Sequence, residues 1–392
     1  MKRVLFVDDD PQLLAGLQRM FYPFRREWQV DFAAGGLQAL KMLDESRYDV
    51  LVTDVRMPGM NGIELLQAAA KRFPGVMRFV LSGAADRDLA LRSVELAHQF
   101  LTKPCEPAVL RDVIDRALNL RLVLEDPALR LVVASMRALP SIPGVYVELM
   151  NAIRSPETPA SELGSIVARD AGMTAKVLQL VNSSFFGIRR AFIDPVAATV
   201  YLGAETVGAL VLQASVFSQF SARTMREFPL EALQQHSGRV AATAQKIAAD
   251  AGLTRVRANE CMAAGLLHDL GKLVLVSSFP EQYRKVLRDM EDYGLSAHAA
   301  ELQEFGTSHA EVGAYLLWLW GIPDVLTEAV ALHHNPPPER DGKLSPATVV
   351  YIANTLDSGR AESPTDVPYP NLNRVLGEER RPQSAGCFRE EP

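Results

Sequence analysis

Cysteine is scarce in this chain. Cys105, Cys261 and Cys387 are the three in 392 residues, far apart and with no CxxC pair. A scattered, odd count builds no disulfide framework and fits a reducing compartment. An excess of positive charge is lacking as well. The net charge is −6, which argues against a dominant nucleic-acid surface, so no direct nucleic-acid binding is expected. No apolar run approaches the length of a membrane span, and the N-terminus, MKRVLFVDDD, turns acidic too early for a signal peptide. The expectation is a cytoplasmic chain with no membrane partner. Tandem repeats are also missing.

What is present is apolar matter in quantity. A hydrophobic content of 48% with 22% charged residues describes a chain with a large core. Its length is too great for one core, which sets the expectation at two or three domains.

Residues 1–120 alternate short β-type runs with amphipathic helices. Val4–Val7 ends on three aspartates, and Leu13, Leu14, Leu17 and Met20 follow at helical spacing. Val50–Val52 leads to Asp54, Gly62–Arg72 reads as a helix, and Phe79–Leu81 ends at Ser82. Asp86–Leu96 is helical, Phe100–Thr102 runs into Lys103, and Pro107–Leu124 is a long last helix. Strands alternating with helices imply an α/β doubly wound parallel sheet, whose ligand site lies at the carboxyl ends of the strands. Asp8, Asp9, Asp54, Ser82 and Lys103 all fall at such ends and are expected to converge. Clustered carboxylates shift their pKa or hold a hard cation such as Mg²⁺. A lysine and a hydroxyl added to them make a site for phosphoryl transfer.

The segments VLFVDDDPQLL, VTDVRMPGMNG, FVLSGA and FLTKP, in that order, closely resemble the flavodoxin-like receiver domain of two-component response regulators. The resemblance implies Asp54 as phospho-acceptor, Asp8 and Asp9 as the acid pair for Mg²⁺, and a backbone carbonyl of Arg56 as a further metal ligand. It also implies Ser82 and Lys103 as phosphoryl-contacting groups, Phe100 as the switch aromatic, and a sensor histidine kinase as partner. Asp10 reads as the start of the next helix.

Residues 121–138 read as a helical connector. The apolar stripe of Leu110, Val113, Ile114, Ala117 and Leu118 fits a last helix packed on its own sheet, or a signalling helix whose extension forms a homodimer seam; the reading leans slightly to the second.

Residues 139–358 read as all-α, with no persistent strand alternation. Inside this apolar set the stretch AAGLLHDLGKLVLV places His268 beside Asp269, and a buried carboxylate needs a partner or a metal. His236, His309, His333 and His334 stand in other apolar helices, whereas His98 and His298 lack comparable neighbours and read as ordinary surface or boundary residues. Imidazole with carboxylate suits Fe, Mn, Zn or Ni.

The segments MTAKVLQLVNSSFFG, AATVYLGAETVGAL, HSGRVA, SHAEVGAYLLWLWGIP and HH, together with that stretch, resemble the HD superfamily of metal-dependent phosphohydrolases, and within it the HDOD (HD-related output) domain. The resemblance implies His236, His268 and Asp269 as metal ligands, and places His309, His333 and His334 where a second metal or a substrate phosphate is held. Two departures stand against catalysis. The closing carboxylate position falls on Asn354, with Asp357 on the same face, and HHNPPP lacks a Gly-Tyr-Pro signature. The expected protein is therefore a response regulator whose output domain works as an interaction or ligand-sensing module toward an unidentified downstream protein. The alternative is a metal-dependent phosphohydrolase or cyclic-dinucleotide phosphodiesterase, which would bring in a nucleotide or cyclic dinucleotide as ligand. Residues 359–392, rich in Pro, Glu and Arg, are expected to be a disordered tail.

Overall fold

The computed structural model describes residues 2–83, 96–120, 127–136, 139, 141, 143–155, 157–183, 186, 191–212, 220, 222–338 and 344–359. Most of the helix expected over 86–96, connector residues 121–126 and the expected tail from residue 360 onward lie outside the described residues.

The N-terminal region is a parallel sheet of Lys2–Val7 (β1), Trp28–Ala33 (β2), Val50–Thr53 (β3), Met77–Ser82 (β4) and Gln99–Thr102 (β5), in the order β2-β1-β3-β4-β5. Helices Pro11–Phe21 (α1), Gly36–Glu45 (α2), Gly62–Arg72 (α3) and Pro107–Leu120 (α4) connect and follow the strands. Val4, Leu5, Phe6 and Val7 are all buried, the continuous apolar run that a parallel strand covered on both faces requires. Phe6, Phe21 and Trp28 stack in series, with ring centroids 5.2 and 5.4 Å apart. The stripe on α4 is buried at Leu110, Ile114, Ala117 and Leu118, so this part of it packs inside the chain.

Register carries the site. β1 and β3 pair as far as Val7↔Thr53, so Asp8 and Asp54 leave neighbouring strands side by side where the strand order reverses. Asp10 caps α1 by accepting from Gln12 N at 2.8 Å, and Asn61 and Glu64 cap α3 reciprocally. Gly62 begins α3 against the end of β3: a Cβ there would meet Asp54 O at 2.0 Å. Gly62→Ala is therefore expected to lower stability by about 1–3 kcal/mol, read as a lower urea midpoint at unchanged slope.

The described remainder is helical. Pro127–Ser135 (α5) is followed by six helices between residues 143 and 227. Then come Leu230–Asp250 (α6), Arg255–Leu267 (α7), Leu270–Ser278 (α8), Pro280–Tyr293 (α9), Ala297–Phe305 (α10), His309–Leu319 (α11), Asp324–Leu332 (α12) and Pro346–Asp357 (α13). Glycine sets the closest approaches. A Cβ on Gly265 of α7 would lie 2.9 Å from Ala241 Cα of α6, and one on Gly271 of α8 would lie 2.0 Å from His309 O at the start of α11. These contacts join α6 to α7 and α8 to α11 at close range. The stretch Arg255–Ser278 is apolar and long enough to cross a membrane by composition alone, but 72% of its most apolar window is buried inside the protein, which makes it a core element.

The two regions meet at the amino ends of β4 and β5. Arg78 and His98 are 1% and 2% exposed, so His98 is not the surface residue its sequence context suggests. Arg78 donates from Nε to Leu96 O (2.7 Å) and from its main-chain N to His98 Nδ1 (2.9 Å). The other ring nitrogen, Nε2, therefore carries the proton and donates to Ala134 O at 2.7 Å, on α5. Burial first, and the Arg78 charge second, hold the His98 pKa well below the usual histidine range. One step along β5, Gln99 Nε2 donates to Trp318 O of α11 at 2.7 Å. Arg116 pairs with Asp324 beside it.

Candidate functional site

At the carboxyl ends of the strands, oxygens of Asp8, Asp9 and Asp54 lie within 4.8 Å of one another. Lys103, one residue past β5, places Nζ 2.5 Å from Asp8 Oδ2 and 2.8 Å from Asp54 Oδ2. Burial opposes the lysine charge, but hydrogen bonds to Asp54 and Asp8 outweigh it and raise the pKa above the ordinary lysine value. Asp8 is buried and accepts from Asp10 N at 3.0 Å; Asp54 accepts from Val55 N at 2.6 Å. Asp9 is exposed, and so is the Arg56 side chain, which leaves the main chain as what Arg56 can offer. Phe100 is half-buried in β5, two residues before Thr102 closes the strand. Ser82 ends β4 at the same edge of the sheet, and its side chain is outside the described residues. Three hard oxygen donors facing one lysine fit a hexacoordinate hard cation such as Mg²⁺.

The second centre is built around Asp269, 2% exposed, in the two-residue break between α7 and α8. Its Oδ2 lies 2.6 Å from Lys272 Nζ, 3.4 Å from His268 Nε2 and 3.6 Å from His236 Nε2. Its Oδ1 lies 3.0 Å from His309 Nε2 and 4.0 Å from His333 Nε2. His334 Nε2 is 2.9 Å from His309 Nε2. The ligand atoms fall into two groups, His236 with His268 and Asp269, and His309 with His333 and His334. Asp269 faces both.

The rings are aimed from behind. His268 Nδ1 donates to Gly265 O and His333 Nδ1 to Val330 O, each at 2.7 Å and each within its own helix turn. His236 Nδ1 donates to Asp357 Oδ2 at 2.7 Å, and His309 Nδ1 to Glu301 Oε2 at 2.5 Å. In all four the proton sits on Nδ1, which turns the Nε2 atom toward the centre. This is the arrangement by which outer acceptors orient metal-ligating imidazoles. Burial lowers the His268 pKa to about 4 and pushes His333 well below its usual value, so both are neutral ligands near pH 7. Burial penalises the Asp269 charge, yet the surrounding groups, Lys272 and His309 among them, outweigh it and hold the carboxyl well below its usual value. Even so, Asp269 Oδ1 is buried without a hydrogen bond of acceptable geometry. An ionised, orphaned oxygen surrounded by Nε2 atoms fits a bound cation, and the imidazole-rich set suits Zn, Fe, Mn or Ni.

Three residues join the site that the sequence reading left out or misplaced. Among the described residues the Asn354 side chain makes no hydrogen bond to the centre; Asp357, one turn later on α13, reaches it, held by Arg239 Nε at 2.7 Å and Nη2 at 3.0 Å. Asp357 therefore stands behind His236 as the acceptor of its Nδ1 proton. Glu301, fully buried, holds both His309 N (2.7 Å) and His309 Nδ1. His298, whose sequence context is ordinary, has its ring centroid 4.5 Å from that of His334, the two rings tilted to one another. Glu301→Gln keeps the shape but weakens the acceptor; metal affinity is expected to fall about 10–100-fold, measured by chelator competition, with little change in helix content.

A family model described as the HDOD domain matches residues 139–336, and one described as the response regulator receiver domain matches 4–115. An uncharacterized protein of Treponema pallidum is 27% identical over 245 residues, 61% of this chain and 45% of that protein. Sporulation initiation phosphotransferase F of Bacillus subtilis is 29% identical over 31% of this chain and 96% of its own length. The MmoQ response regulator of Methylococcus capsulatus aligns with 61% of this chain and 92% of its own at 24% identity and a TM-score of 0.48. The chain spans less than half the length of the first curated relatives it matches.

Proposed function

Since the chain belongs to the HDOD family and carries a response regulator receiver domain ahead of that domain, we propose that it is phosphorylated on Asp54 and signals through the histidine centre of its helical half. The observation that carries this reading is Lys103 Nζ lying within 2.8 Å of both Asp8 and Asp54. Asp54 offers the carboxylate oxygen that bonds to phosphorus as the donor's leaving group departs. Asp8 and Asp9, with Asp54 and the Arg56 carbonyl, would hold Mg²⁺, which when bound offsets the negative charge gathered between carboxylates and phosphoryl oxygens. Lys103 then exchanges a carboxylate for a phosphoryl oxygen, with Ser82 and Phe100 as the switch pair. The donor would be a sensor histidine kinase.

In the helical half, His236, His268, Asp269, His309, His333 and His334 would hold one or two transition-metal ions, with Lys272 beside them. A metal held there supplies a Lewis acid for an anionic ligand. Orientation of four rings by fixed acceptors supports ligand sensing as the output, read by a downstream protein. The same orphaned Asp269 oxygen also favours a second reading, a metal-dependent phosphohydrolase. Turnover of a cyclic dinucleotide by Mn- or Fe-loaded protein, lost in His268→Ala, would establish hydrolysis; stoichiometric metal without turnover supports sensing.

β5 joins the two centres physically, from Lys103 at one end to Gln99 at the other. Gln99→Ala should leave phosphoryl uptake and metal content unchanged. It is expected to shrink any phosphorylation-dependent change in protease sensitivity of α11, read by limited proteolysis with and without phosphodonor.

A further inference from the structure

The histidine centre opens on one side into a cavity of about 260 Å³. Its walls come from Phe228 and Pro229, from Leu230, Ala232 and Leu233 at the start of α6, from Val276 on α8, and from Tyr283, Leu287 and Met290 on α9. His236, Asp269 and Lys272 also line it, and each of the other two lies within 3.6 Å of Asp269. The polar lining is thus a single patch at one pole. Tyr283 adds only its ring, because its hydroxyl is turned to Glu301 Oε1 at 3.0 Å. Tyr283, Leu287 and Met290 stand at i, i+4 and i+7, one stripe on a helix whose sequence, PEQYRKVLRDMEDY, is otherwise mostly polar. Leu287 and Met290 are half-buried, as the walls of an open chamber are.

We propose that this cavity binds an anionic amphiphile: one carboxylate or phosphate head at the Lys272–His236 pole and an apolar chain along α9. The proposal deepens the ligand-sensing reading and rests on it. Lys272 commits one of its donors to Asp269 and an ammonium has three, so an incoming anion can share it. The apolar walls suit an alkyl chain rather than further polar groups. Among the described residues no Asn, Gln, Ser or Thr side chain lines the cavity. A nucleobase edge or a ribose would find no partner along the apolar walls, and unpaired polar groups are costly to bury.

The test is calorimetric titration of the full chain with decanoate, decyl phosphate, decanol and cyclic di-GMP. Saturable one-to-one binding of decanoate or decyl phosphate is expected, with decanol about tenfold weaker or worse and cyclic di-GMP silent. The preferred head distinguishes a free fatty acid from a phosphate ester as the source. Met290→Trp, which fills the half-buried far wall, should weaken the acids about tenfold, and Leu287→Trp serves the same purpose should the first variant fold poorly. Lys272→Met should bring the acids down to the level of decanol. Absence of saturable binding by both acids, decanol binding as tightly as decanoate, or binding indifferent to both tryptophan variants would overturn the proposal. Metal content determined on the same samples separates the two readings: acid binding without metal leaves the cavity standing and removes the metal, and the converse removes the cavity alone.

Discussion

Incubated with Mg²⁺ and a small phosphodonor, the full chain is expected to gain one phosphoryl group, and Asp54→Asn to gain none. Asn keeps the shape and the hydrogen bond from Val55 N, so the fold is retained, while the nucleophilic carboxylate is gone. Asp8 cannot take its place. It is 3% exposed and tied to Lys103 and to Asp10 N. Asp9 is open to solvent and lacks the lysine contact that Asp54 has. Lys103→Ala separates positioning from chemistry. Removing a preorganised donor typically lowers rate by about 10²–10³, so phosphoryl uptake should slow on that order while its site stays Asp54. Intact-mass analysis of the three proteins decides the matter, and an equal gain in Asp54→Asn would refute the assignment.

The second large effect lies at Asp269. Protein purified without chelator is expected to carry a transition metal at one to two ions per chain, and Asp269→Ala to carry almost none. Both ligand groups lose their shared carboxylate in that variant, and Lys272 loses the partner at 2.6 Å. Breaking a buried charge pair by removing one member costs about 3–5 kcal/mol; Lys272 retains 19% exposure, which points to the lower end. Element-resolved mass spectrometry and a denaturant titration measure the two quantities independently. A stability loss with no metal in either protein would reduce the centre to a satisfied polar core.

The contrast between the two centres in sequence has a physical basis. Asp8, Asp54 and Lys103 each end an apolar run, so chain period alone aligns them with strand ends. Edge strand β2 buries two of its six residues fully and so lacks the apolar run that marks β1 and β3 in the sequence. Glu301 sits in an unremarkable helix, AHAAELQEF, eight residues before His309; only the folding of α10 against α11 gives it a role. Asn354 and Asp357 share one helical face at i, i+3, and a sequence offers no means of deciding which one the bundle turns inward. His98 looked ordinary because its partners, Arg78 and Ala134, lie 20 and 36 residues away.

The brevity of β5 has a thermodynamic consequence. Four residues span about 13 Å, with Lys103 beyond one end and Gln99 joined to Trp318 at the other; α11 then runs about 14 Å back to His309. Two stiff segments joined in this way are a channel with no preferred direction. Any free energy by which a phosphoryl group on Asp54 alters affinity at the histidine centre must be returned in full when that centre is filled first. Occupancy of the histidine centre would then shift the equilibrium between free and phosphorylated Asp54 by the same factor.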